Sequence, residues 1–550
     1  MTFPGASEVT TFDDEMWDAD ADVVVVGSGA AGFAAAVTAA LRGRSVIMLE
    51  RADWLGGTTA KAGATYWIPN NPLMREKGLT DPRDDALRYM ARLSFPPRYA
   101  PDREYLGLSR NQYELIATYY DNASVMVEEL TAAGALAPVL DLATPDYNAD
   151  LPEDVAPYGR HLRPDFVPDG SGSTGGNMLI AGLHAAAEAR GVQVRLGHRV
   201  MDVIRNESGA VVGVEAHHRS GTALVRARRG VVFASGGFAH NAELAATYLR
   251  GPIFGGCAAG SNTGDLVRIA ASIGADLGNM SNAWWSQVVI ESALNGPTIK
   301  DVWLPFGDSM IQVNRHGVRA VNEKMVYNER SQVHFGWSAH GREYPNLLMF
   351  MLYDDAVANA PGDMSSMRQP VPLAGQAARY VISAASWEEL ARAIDARLQR
   401  MAGLTGGLQL APDFAATVRQ TVARFGDFAR TGKDLDFHRG ETPIQVAWHG
   451  TPRRPDMPNP TMHTFAEHGP YHAIILGAGA LDTKGGPRID VNGRILGVDG
   501  RAIVGLYGAG NCIAAPAGQA YWSAGATIGS ALTFGYLAGQ HVAAAGVNYL

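Results

Sequence analysis

The length, composition and charge of the chain favour a large globular protein with a substantial apolar core. Its 550 residues suggest two to four domains, and a content of 47% hydrophobic and 18% charged residues is typical of a globular protein with a large core. The formal net charge of −9 lacks the basic excess that nucleic-acid binding requires. No run of 18 apolar residues is present, so no transmembrane segment is predicted.

The cysteines, the histidines and the N-terminus bear on location and metal binding. The chain has two cysteines, Cys257 and Cys512, and no CxxC motif, which argues against a disulfide framework or a cysteine-ligated cluster. His463, His468 and His472 form no ligand pattern with carboxylates, so we expect no metal site. The first 20 residues read as an acidic arm and lack the pattern of a signal peptide. These features predict a cytoplasmic protein.

A glycine-rich turn between two apolar segments predicts a dinucleotide-binding fold. Residues 23–26 are a run of valines, as expected for a strand buried on both faces, and residues 27–32 read GSGAAG. The three glycines of this motif allow a tight turn, close approach to a pyrophosphate, and packing of the next helix on the strand. Glu50 ends the second predicted strand, 18 residues after Gly32, where it can accept ribose hydroxyls.

Three later segments favour FAD as the dinucleotide. The segment "RADWLGGTTAKAGATYWIP", which begins at Arg51, resembles the second phosphate- and flavin-contacting element of FAD enzymes of the glutathione-reductase-like class. Residues 230–241 resemble the glycine turn of that class, and residues 505–511 resemble its late strand. Succinate dehydrogenases attach FAD through a histidine, and residues 55–66 contain none. We therefore expect non-covalent FAD.

The predicted cofactor contacts are spread over these segments, the helix start near Asp265 and the last helix. They are Gly27, Ser28, Gly29, Ala31, Gly32, Glu50, Arg51, Gly56, Gly57, Thr58, Thr59, Ala62, Gly63, Ala64, Val200, Ala234, Ser235, Gly236, Asp265, Gly510, Asn511, Gly525, Thr527 and Ile528.

The order of these segments predicts an α/β protein whose FAD-binding domain is Rossmann-like, of the glutathione-reductase-like type, and discontinuous. Residues 1–287 would form its first part and residues 468–550 its return segment. Between them, residues 288–467 contain more proline, tryptophan and methionine, together with two amphipathic helical patterns. We interpret this stretch as an inserted α+β domain that caps the substrate.

The chain resembles the family of fumarate reductase and succinate dehydrogenase flavoproteins together with 3-ketosteroid dehydrogenases, over nearly all of its length after residue 20. The segment "VNEKMVYNERS" carries the first informative position. Four residues after Glu323, fumarate reductases have the arginine that delivers a proton to substrate, and this chain has Tyr327. The ketosteroid branch likewise has a tyrosine there, which acts as the base.

Two further positions exclude a dicarboxylate substrate. In "LDTKGG", Asp482 stands where fumarate reductases have a histidine that binds the substrate carboxylate. Trp522 stands where those enzymes place a carboxylate-binding arginine. Burying a dianion without these cationic groups would be very costly, so we do not expect a fumarate reductase.

The segment "GQAYWSAGAT" resembles the end of the ketosteroid branch, in which a tyrosine and a glycine N–H hold the ketone oxygen. The resemblance assigns these roles to Tyr521 and Gly525. Tyr147, in "PDYNADLPE", lies in the region of a second assisting tyrosine, with a loop anchor as the alternative. The branch has "YPGPGG" where this chain has "YWSAGA", which places Trp522 and Ser523 at the pocket wall as a departure from the pattern.

The resemblance implies an FAD-dependent oxidoreductase that desaturates a hydrophobic cyclic ketone of the 3-ketosteroid type between its α and β carbons. Two donors on the ketone oxygen would stabilise the enolate-like charge while the α proton leaves. A smaller mono- or bicyclic ketone, an enone reductase and a non-catalytic flavin-binding protein remain alternatives. An external electron acceptor is required. The choice between steroid and smaller ketone, the acceptor, the oligomeric state and the role of residues 94–120 stay open.

Overall fold

The computed structural model describes residues 16–166, 174–296, 306–360, 370–448 and 454–547, so residues 1–15 of the predicted acidic arm lie outside it. The strands in chain order are β1 (Ala19–Val26), β2 (Val46–Leu49), β3 (Tyr66–Trp67), β4 (Pro138–Asp141), β5 (His161–Pro164), β6 (Gln193–Arg195), β7 (Arg199–Arg205), β8 (Val211–His218), β9 (Gly221–Phe233), β10 (Leu277–Gly278), β11 (Ala283–Val289), β12 (Met310–Val313), β13 (Leu348–Asp354), β14 (Ile382–Ala384), β15 (Tyr471–Thr483), β16 (Gly486–Pro487), β17 (Arg494–Leu496) and β18 (Ala502–Gly508). The helices are α1 (Ala30–Leu41), α2 (Gly57–Lys61), α3 (Pro72–Glu76), α4 (Arg83–Ser94), α5 (Arg110–Ala132), α6 (Gly175–Glu188), α7 (Ala242–Tyr248), α8 (Asp265–Ser272), α9 (Ile290–Asn295), α10 (Tyr327–Ser331), α11 (Asp355–Ala358), α12 (Trp387–Arg400), α13 (Ala402–Thr405), α14 (Phe414–Thr431), α15 (Pro443–Ala447) and α16 (Ala526–Ala544). This content is mixed α/β, as the sequence predicts.

The first sheet has a parallel centre with the strand order β18-β9-β1-β2-β6. Strand β17 adds antiparallel to β18, and β8 pairs with the first half of β9 and with β7. The valines of β1 are buried because helices or strands cover both faces of this centre. All the central parallel strands point the same way, so their carboxyl ends share one edge, where ligands of such sheets usually bind.

Two helices of small residues pack closely beside this sheet. Helix α1 is almost entirely buried and lies against α16. A Cβ at Gly535 would lie 2.3 Å from the carbonyl oxygen of Ala31, and one at Gly539 would lie 2.5 Å from that of Ala35. The last helix therefore needs glycine at these positions, and this contact brings residues 525–531 to the same edge of the sheet as the glycine-rich turn.

The second sheet is antiparallel and has the order β11-β15-β13-β12, with β14 also paired to β15. Helices α12 and α14 cover one face with an apolar cluster that includes Ile394, Val418 and Phe425. Strand β11 begins at residue 283 and β15 ends at residue 483. The second sheet therefore extends beyond the predicted range of 288–467 on both sides.

A third sheet, with the order β3-β5-β4, contacts α4 and α5 through the Trp67 ring, which lies 6.3 Å from Tyr89 and 6.2 Å from Tyr119. Helix α5 presents Tyr119 to Trp522, whose ring lies 5.3 Å away, and Trp67 of β3 lies 5.8 Å from Trp522. The Trp522 indole N–H donates to Ser94 Oγ over 2.9 Å. Residues 94 and 119, within the segment 94–120 whose role the sequence leaves open, therefore help to form an aromatic core behind the loop that carries Tyr521.

In the ranges of the chain described above, no helix combines the length and the hydropathy needed to cross a bilayer.

Candidate active site

A cavity of about 420 Å³ lies at the carboxyl edge of the parallel strands. Its lining begins with the last residue of each of β1, β2 and β9, at residues 26, 49 and 233, and includes Gly510 after β18. Of the 24 predicted cofactor residues, Gly32 and Gly56 are the two that do not line it. The segments that the sequence marks as cofactor contacts are thus brought together in one cavity.

Gly32 and Gly56 shape the backbone rather than the cavity surface. A Cβ at Gly32 would lie 1.9 Å from the carbonyl oxygen of Gly27, so this glycine lets α1 pack against the turn. Gly56 has φ of +96° and precedes α2, and a Cβ there would lie 2.8 Å from Ile180. Gly29, in contrast, has φ of −72°, and the nearest atom to its Cβ would be 3.7 Å away.

The predicted ribose acceptor, Glu50, holds the glycine turn as well as facing the cavity. Its Oε2 accepts from the Ser28 backbone N–H over 3.0 Å and from the Ser28 hydroxyl over 2.6 Å. Its Oε1 accepts from the Ala52 N–H over 2.8 Å. The Ser28 hydroxyl in turn accepts from the Gly56 N–H over 3.0 Å, so one carboxylate ties the first glycine turn to the second.

Three charged side chains line the far end of the cavity. Asp265 accepts two hydrogen bonds from Arg199, at 2.9 and 2.6 Å, and lies 3.4 Å from an Arg51 nitrogen. Burial opposes the charge on Asp265, but these two guanidinium groups hold the pKa of its carboxyl below its ordinary value. Asp265 is also the first residue of α8. It therefore holds the guanidinium groups of Arg199 and Arg51 beside the segment that follows β2.

The residues of the cavity fit FAD. Its turn offers glycine backbone and the N-terminus of α1, which together suit a pyrophosphate, and the open space beside Gly29 leaves room for close approach. The buried hydroxyls of Ser235 and Thr527 lie near Cys512 and Tyr521 but form no well-aligned hydrogen bond with any described residue. Because buried polar groups are normally paired, these hydroxyls indicate a polar ligand at this position.

Three buried tyrosines meet at the other end of the cavity. The hydroxyls of Tyr147 and Tyr327 lie 2.7 Å apart, and the rings of both lie within 5.6 Å of the Tyr521 ring, edge to face. Tyr327 is the first residue of α10, and Tyr521 and Gly525 lie in the loop before α16. The structure thus brings together all four residues that the resemblance assigns to catalysis, and all four line the cavity.

Burial governs the acidity of these phenols. It raises the pKa of Tyr147 and Tyr327 well above the ordinary value, and the neighbouring tyrosine hydroxyls add to the effect at Tyr327. Burial also raises the pKa of Tyr521, while the backbone N–H of Gly525 acts in the opposite direction. All three phenols are therefore neutral near pH 7 and able to donate hydrogen bonds.

Trp522 and Ser523 are not at the pocket wall, contrary to the sequence interpretation. Trp522 is fully buried in the aromatic core formed with Trp67 and Tyr119, and neither Trp522 nor Ser523 is among the residues that line the cavity. That interpretation came from the resemblance, in which "YWSAGA" stands where the ketosteroid branch has "YPGPGG". The indole turns instead toward α4 and α5, which the sequence pattern did not locate.

Asp482 serves as a hydrogen-bond acceptor between segments. Its Oδ2 accepts from the Gly237 N–H at 3.0 Å, from Asn262 at 2.7 Å and from Asn511 at 3.1 Å. Asn511 also accepts from the Trp284 indole N–H over 3.0 Å, and the Trp284 ring lies 4.8 Å from Tyr521. Asp482 therefore connects the cofactor turn after β9 with the surroundings of Tyr521.

Sequence reasoning missed several residues that line the cavity. Those with polar or aromatic side chains include Lys61, His198, Arg199, Asn262, Thr263, Trp448 and Asp482. Arg199 carried a usable signal, since it stands beside the predicted contact Val200. Trp448, whose ring lies 5.2 Å from Tyr147, lies in a segment without a motif and could not be placed. Among the described residues, no group of three or more His, Cys, Asp or Glu side chains could hold a metal ion.

Comparison with known proteins assigns the family. The family model described as "FAD binding domain" matches residues 22–528. The chain therefore belongs to this family of FAD-binding flavoproteins, as its sequence motifs predict, and FAD is its cofactor.

Relatives of two kinds match almost the whole chain. The 3-oxosteroid 1-dehydrogenase of Mycobacterium tuberculosis (strain ATCC 25618 / H37Rv) is 34% identical, over 95% of this chain and 98% of its own length. The 4-oxocyclohexanecarboxylate 2-dehydrogenase of Sinomonas cyclohexanicum is 30% identical, over 96% of this chain and 94% of its own length. A crystal structure of 3-ketosteroid Δ1-dehydrogenase from Sterolibacterium denitrificans, in complex with 1,4-androstadiene-3,17-dione, superimposes with a TM-score of 0.80, at 26% identity, over 96% of this chain and 99% of that one.

Proposed function

We propose that the protein is an FAD-dependent Δ1-dehydrogenase of 3-ketosteroids, which removes a proton from the α carbon and a hydride from the β carbon of a cyclic ketone. The observation that carries this proposal is the cluster of three buried tyrosine hydroxyls beside Gly525, at one end of the FAD cavity. The similarity to 3-oxosteroid 1-dehydrogenases over 95% of the chain supports the choice of substrate class.

Tyr521 and the backbone N–H of Gly525 would bind the ketone oxygen. Gly525 has φ of +86° and precedes the first turn of α16, where backbone N–H groups lack helical partners. A Cβ there would lie 2.4 Å from the carbonyl oxygen of Thr65, so the loop needs glycine. One such donor on a developing oxyanion typically contributes about 2.7–4 kcal/mol to transition-state stabilisation, and two donors make the α proton acidic enough to leave.

Tyr327 would accept the α proton, with Tyr147 as its relay. A neutral phenol is a poor base because its ordinary pKa is about 10, and burial makes that of Tyr327 higher still. The 2.7 Å contact with Tyr147 offers a remedy once Tyr147 is ionised. The Tyr327 O–H then passes its proton to the Tyr147 phenolate as the Tyr327 oxygen takes the substrate proton, and both phenols end neutral. The loop-anchor interpretation of Tyr147 is less favoured, because its hydroxyl bonds another hydroxyl that faces the cavity.

FAD supplies the acceptor for the hydride when it is bound. We propose that it is held without a covalent bond. His198 lines the cavity, but its Nδ1 donates to the Leu196 carbonyl over 2.7 Å and its ring stacks on His218. Acid precipitation should therefore leave the flavin in the supernatant, and flavin that stays with the precipitated chain would contradict the proposal.

We propose a discontinuous, Rossmann-like FAD-binding domain with an inserted substrate-capping domain. The parallel sheet supports this division, since its strands come from both ends of the chain, and the antiparallel sheet supports it, since its strands come from the middle. The pairing of β11 and β15 favours boundaries near residues 282 and 484 over those predicted at 287 and 467. Trp448 and Tyr327 of the cap then lie opposite Tyr521 of the FAD-binding domain.

A smaller cyclic ketone is the second candidate substrate, and a specific finding favours it. The relative named 4-oxocyclohexanecarboxylate 2-dehydrogenase matches the chain at 30% identity. A carboxylate on the ring would need a cation nearby. Arg51 and Arg199 of the lining are engaged with Asp265. Lys61 donates to the Cys257 carbonyl over 2.9 Å, a neutral acceptor that leaves its charge in place, so a ring carboxylate would depend on Lys61 among the lining cations.

A substrate series under anaerobic conditions tests both candidates. The purified holoprotein is mixed with 4-androstene-3,17-dione, cholestenone, cyclohexanone, 4-oxocyclohexanecarboxylate or succinate, and the loss of oxidised-flavin absorbance is followed by stopped flow. We expect the steroid ketones to react fastest and mass spectrometry to show a product lighter by two hydrogens. Faster reaction with 4-oxocyclohexanecarboxylate would favour the second candidate. Reaction with succinate alone, or with no ketone, would contradict both, and the reoxidant remains an external acceptor in either case.

A further inference from the structure

We propose that Ser523 and His161 are positioning residues that hold the loop carrying Tyr147 against the loop carrying Tyr521. This inference rests on the proposed function, in which Tyr147 relays the proton of Tyr327. Neither Ser523 nor His161 lines the cavity, and both are fully buried. They would act on the reaction through Tyr147 and not by touching substrate or cofactor.

A continuous set of hydrogen bonds links the two loops. The Tyr147 backbone N–H donates to Ser523 Oγ over 3.2 Å. Ser523 Oγ lies 2.8 Å from His161 Nε2, and His161 Nδ1 lies 3.1 Å from the carbonyl oxygen of Thr144. These hydrogen bonds thus connect the Tyr147 N–H, through Ser523 and His161, to the carbonyl of Thr144, which lies three residues earlier in the same loop.

The direction of each hydrogen bond follows from the chemistry of the partners. A carbonyl oxygen can only accept, so His161 Nδ1 carries a proton toward Thr144. Burial lowers the pKa of His161 to about 4, so the ring is neutral and its Nε2 accepts from the Ser523 hydroxyl. The Ser523 oxygen keeps a lone pair for the Tyr147 N–H. Every group in this chain of contacts is satisfied, as buried polar groups require.

The residue before Tyr147, Asp146, has further anchors of its own, although it also lies close to Ser523 and its Oδ1 is 3.4 Å from His161 Nε2. Asp146 accepts from the Trp67 indole N–H over 2.8 Å and from Arg160 over 2.7 Å. Arg160 lies directly before β5 and is fully buried. It also forms ion pairs with Asp81 and Asp154. Asp146 therefore fixes the loop on the side of the third sheet, while Ser523 is the contact that fixes it relative to Tyr521.

The position of the Tyr147 backbone matters because its hydroxyl must meet Tyr327. The two hydroxyls are 2.7 Å apart, and they belong to segments 180 residues apart in the chain. A shift of about 1 Å at a catalytic group can cost on the order of 100-fold in rate. Losing the Ser523 contact would free the Tyr147 loop by such a distance without removing any catalytic hydroxyl.

Replacing Ser523 tests the inference with two readouts. In Ser523→Ala we expect the rate of flavin reduction by 4-androstene-3,17-dione to fall about 10- to 100-fold, with steroid affinity changed less than about threefold. A crystal structure of the variant should show a longer Tyr147–Tyr327 hydroxyl distance in an otherwise unchanged fold. Ser286→Ala is the matched control, because Ser286 is a buried serine of β11 whose hydroxyl donates to the Gln287 carbonyl; it should keep the wild-type rate.

A double-mutant cycle asks whether Ser523 acts through Tyr147. In a Tyr147→Phe background, adding Ser523→Ala should lower the rate less than about twofold, since the relay is already lost. Equal effects of Ser523→Ala in both backgrounds would overturn the inference, as would an unchanged hydroxyl distance with an unchanged rate. His161→Gln, which keeps an acceptor, should be milder than His161→Leu, which does not.

The structural readout separates this inference from the proposed function. If no ketone reduces the flavin of the wild type, the proposed function fails, yet the hydroxyl distance in Ser523→Ala still decides whether Ser523 positions Tyr147. A lengthened distance supports the positioning role in that case, and an unchanged one refutes it.

Discussion

The cofactor cradle and the tyrosine cluster share one cavity but are built in different ways. The cradle consists mainly of backbone from short segments that follow parallel strands, and glycines with little room for a side chain shape it. The cluster consists of side chains from residues 147, 327 and 521, held by hydrogen bonds between loops. The cradle depends on strand order, whereas the cluster depends on how two sheets and several loops meet.

This difference explains why one fold can keep its cofactor while its chemistry changes. The cradle tolerates few substitutions at Gly27, Gly32 and Gly525, where an added Cβ would lie within 2.4 Å of a neighbouring carbonyl oxygen. The cluster can be altered one side chain at a time, as Tyr327 illustrates, since it stands where the resemblance places an arginine in fumarate reductases. Substitutions in the cradle should therefore remove flavin, and substitutions in the cluster should leave it bound and slow the reaction.

The largest effect is expected from Gly29→Leu. Gly29 has φ of −72°, and its Cβ would meet no atom within 3.7 Å, so the chain can fold with leucine there. The side chain would occupy the space left for the pyrophosphate. We expect the purified variant to be folded by circular dichroism and to have lost its flavin absorbance.

Two further glycine-to-leucine substitutions serve as controls for Gly29→Leu, one at an exposed position and one at a position without space for a side chain. Gly403→Leu, at an exposed glycine with no atom near its added Cβ, should retain the wild-type flavin content. Gly32→Leu should prevent folding, because its Cβ would lie 1.9 Å from the Gly27 carbonyl oxygen. A folded Gly29→Leu protein with normal flavin content would show that the cradle has been misassigned.

Tyr327→Phe tests the tyrosine cluster, where substitutions should slow the reaction and leave the flavin bound. It should keep FAD and bind 3-ketosteroid, but flavin reduction should slow about 10²- to 10⁴-fold, the usual contribution of an acid–base group. Single-turnover stopped flow measures this step directly. Near-normal reduction in Tyr327→Phe would mean that the tyrosine only packs and that another group removes the proton.

The rate of flavin reduction in the wild type should rise toward alkaline pH. Burial, reinforced by the neighbouring tyrosines, raises the pKa of Tyr327 well above its ordinary value, so the phenol is protonated across pH 6–9. The fraction able to accept a proton then grows about tenfold for each pH unit below the pKa. We expect the reduction rate to increase over that range and Tyr327→Phe to lose the increase; a rate that falls from pH 6 to pH 9 would contradict this.

Tyr521→Phe should have a smaller effect than Tyr327→Phe. It removes one of two donors on the ketone oxygen, for which a loss of about 10²- to 10³-fold in rate is typical. Steroid affinity should also fall, because the Gly525 N–H would hold the oxygen alone. Rapid-mixing measurements over a range of steroid concentrations separate the two effects. Unchanged affinity together with an unchanged rate would remove Tyr521 from the oxygen-binding site.

The cradle was predictable from the sequence because its signals are local. The spacing of Gly27, Gly29, Gly32 and Glu50 follows from one strand–turn–helix–strand unit, and the family resemblance supplied the later segments. Tyr327 and Tyr521 of the cluster could be predicted only through the family resemblance. The same resemblance gave only an approximate region for Tyr147. No local pattern reveals that Ser523 and His161 meet, since side chains 362 residues apart are brought together by the third sheet.

The smallest effect on substrate choice is expected at Trp522, and a second tryptophan provides the contrast. Trp448 lines the cavity beside Tyr147, so Trp448→Ala should shift the ratio of kcat/KM for steroid over cyclohexanone by about tenfold, within the range for lost hydrophobic contact. Trp522 stacks on Tyr119 and bonds Ser94 behind the loop. Trp522→Phe should therefore leave that ratio within about twofold while lowering the free energy of unfolding by about 1–3 kcal/mol. If Trp522→Phe changed substrate preference as much as Trp448→Ala, the aromatic core behind the loop would have to be counted as part of the substrate pocket.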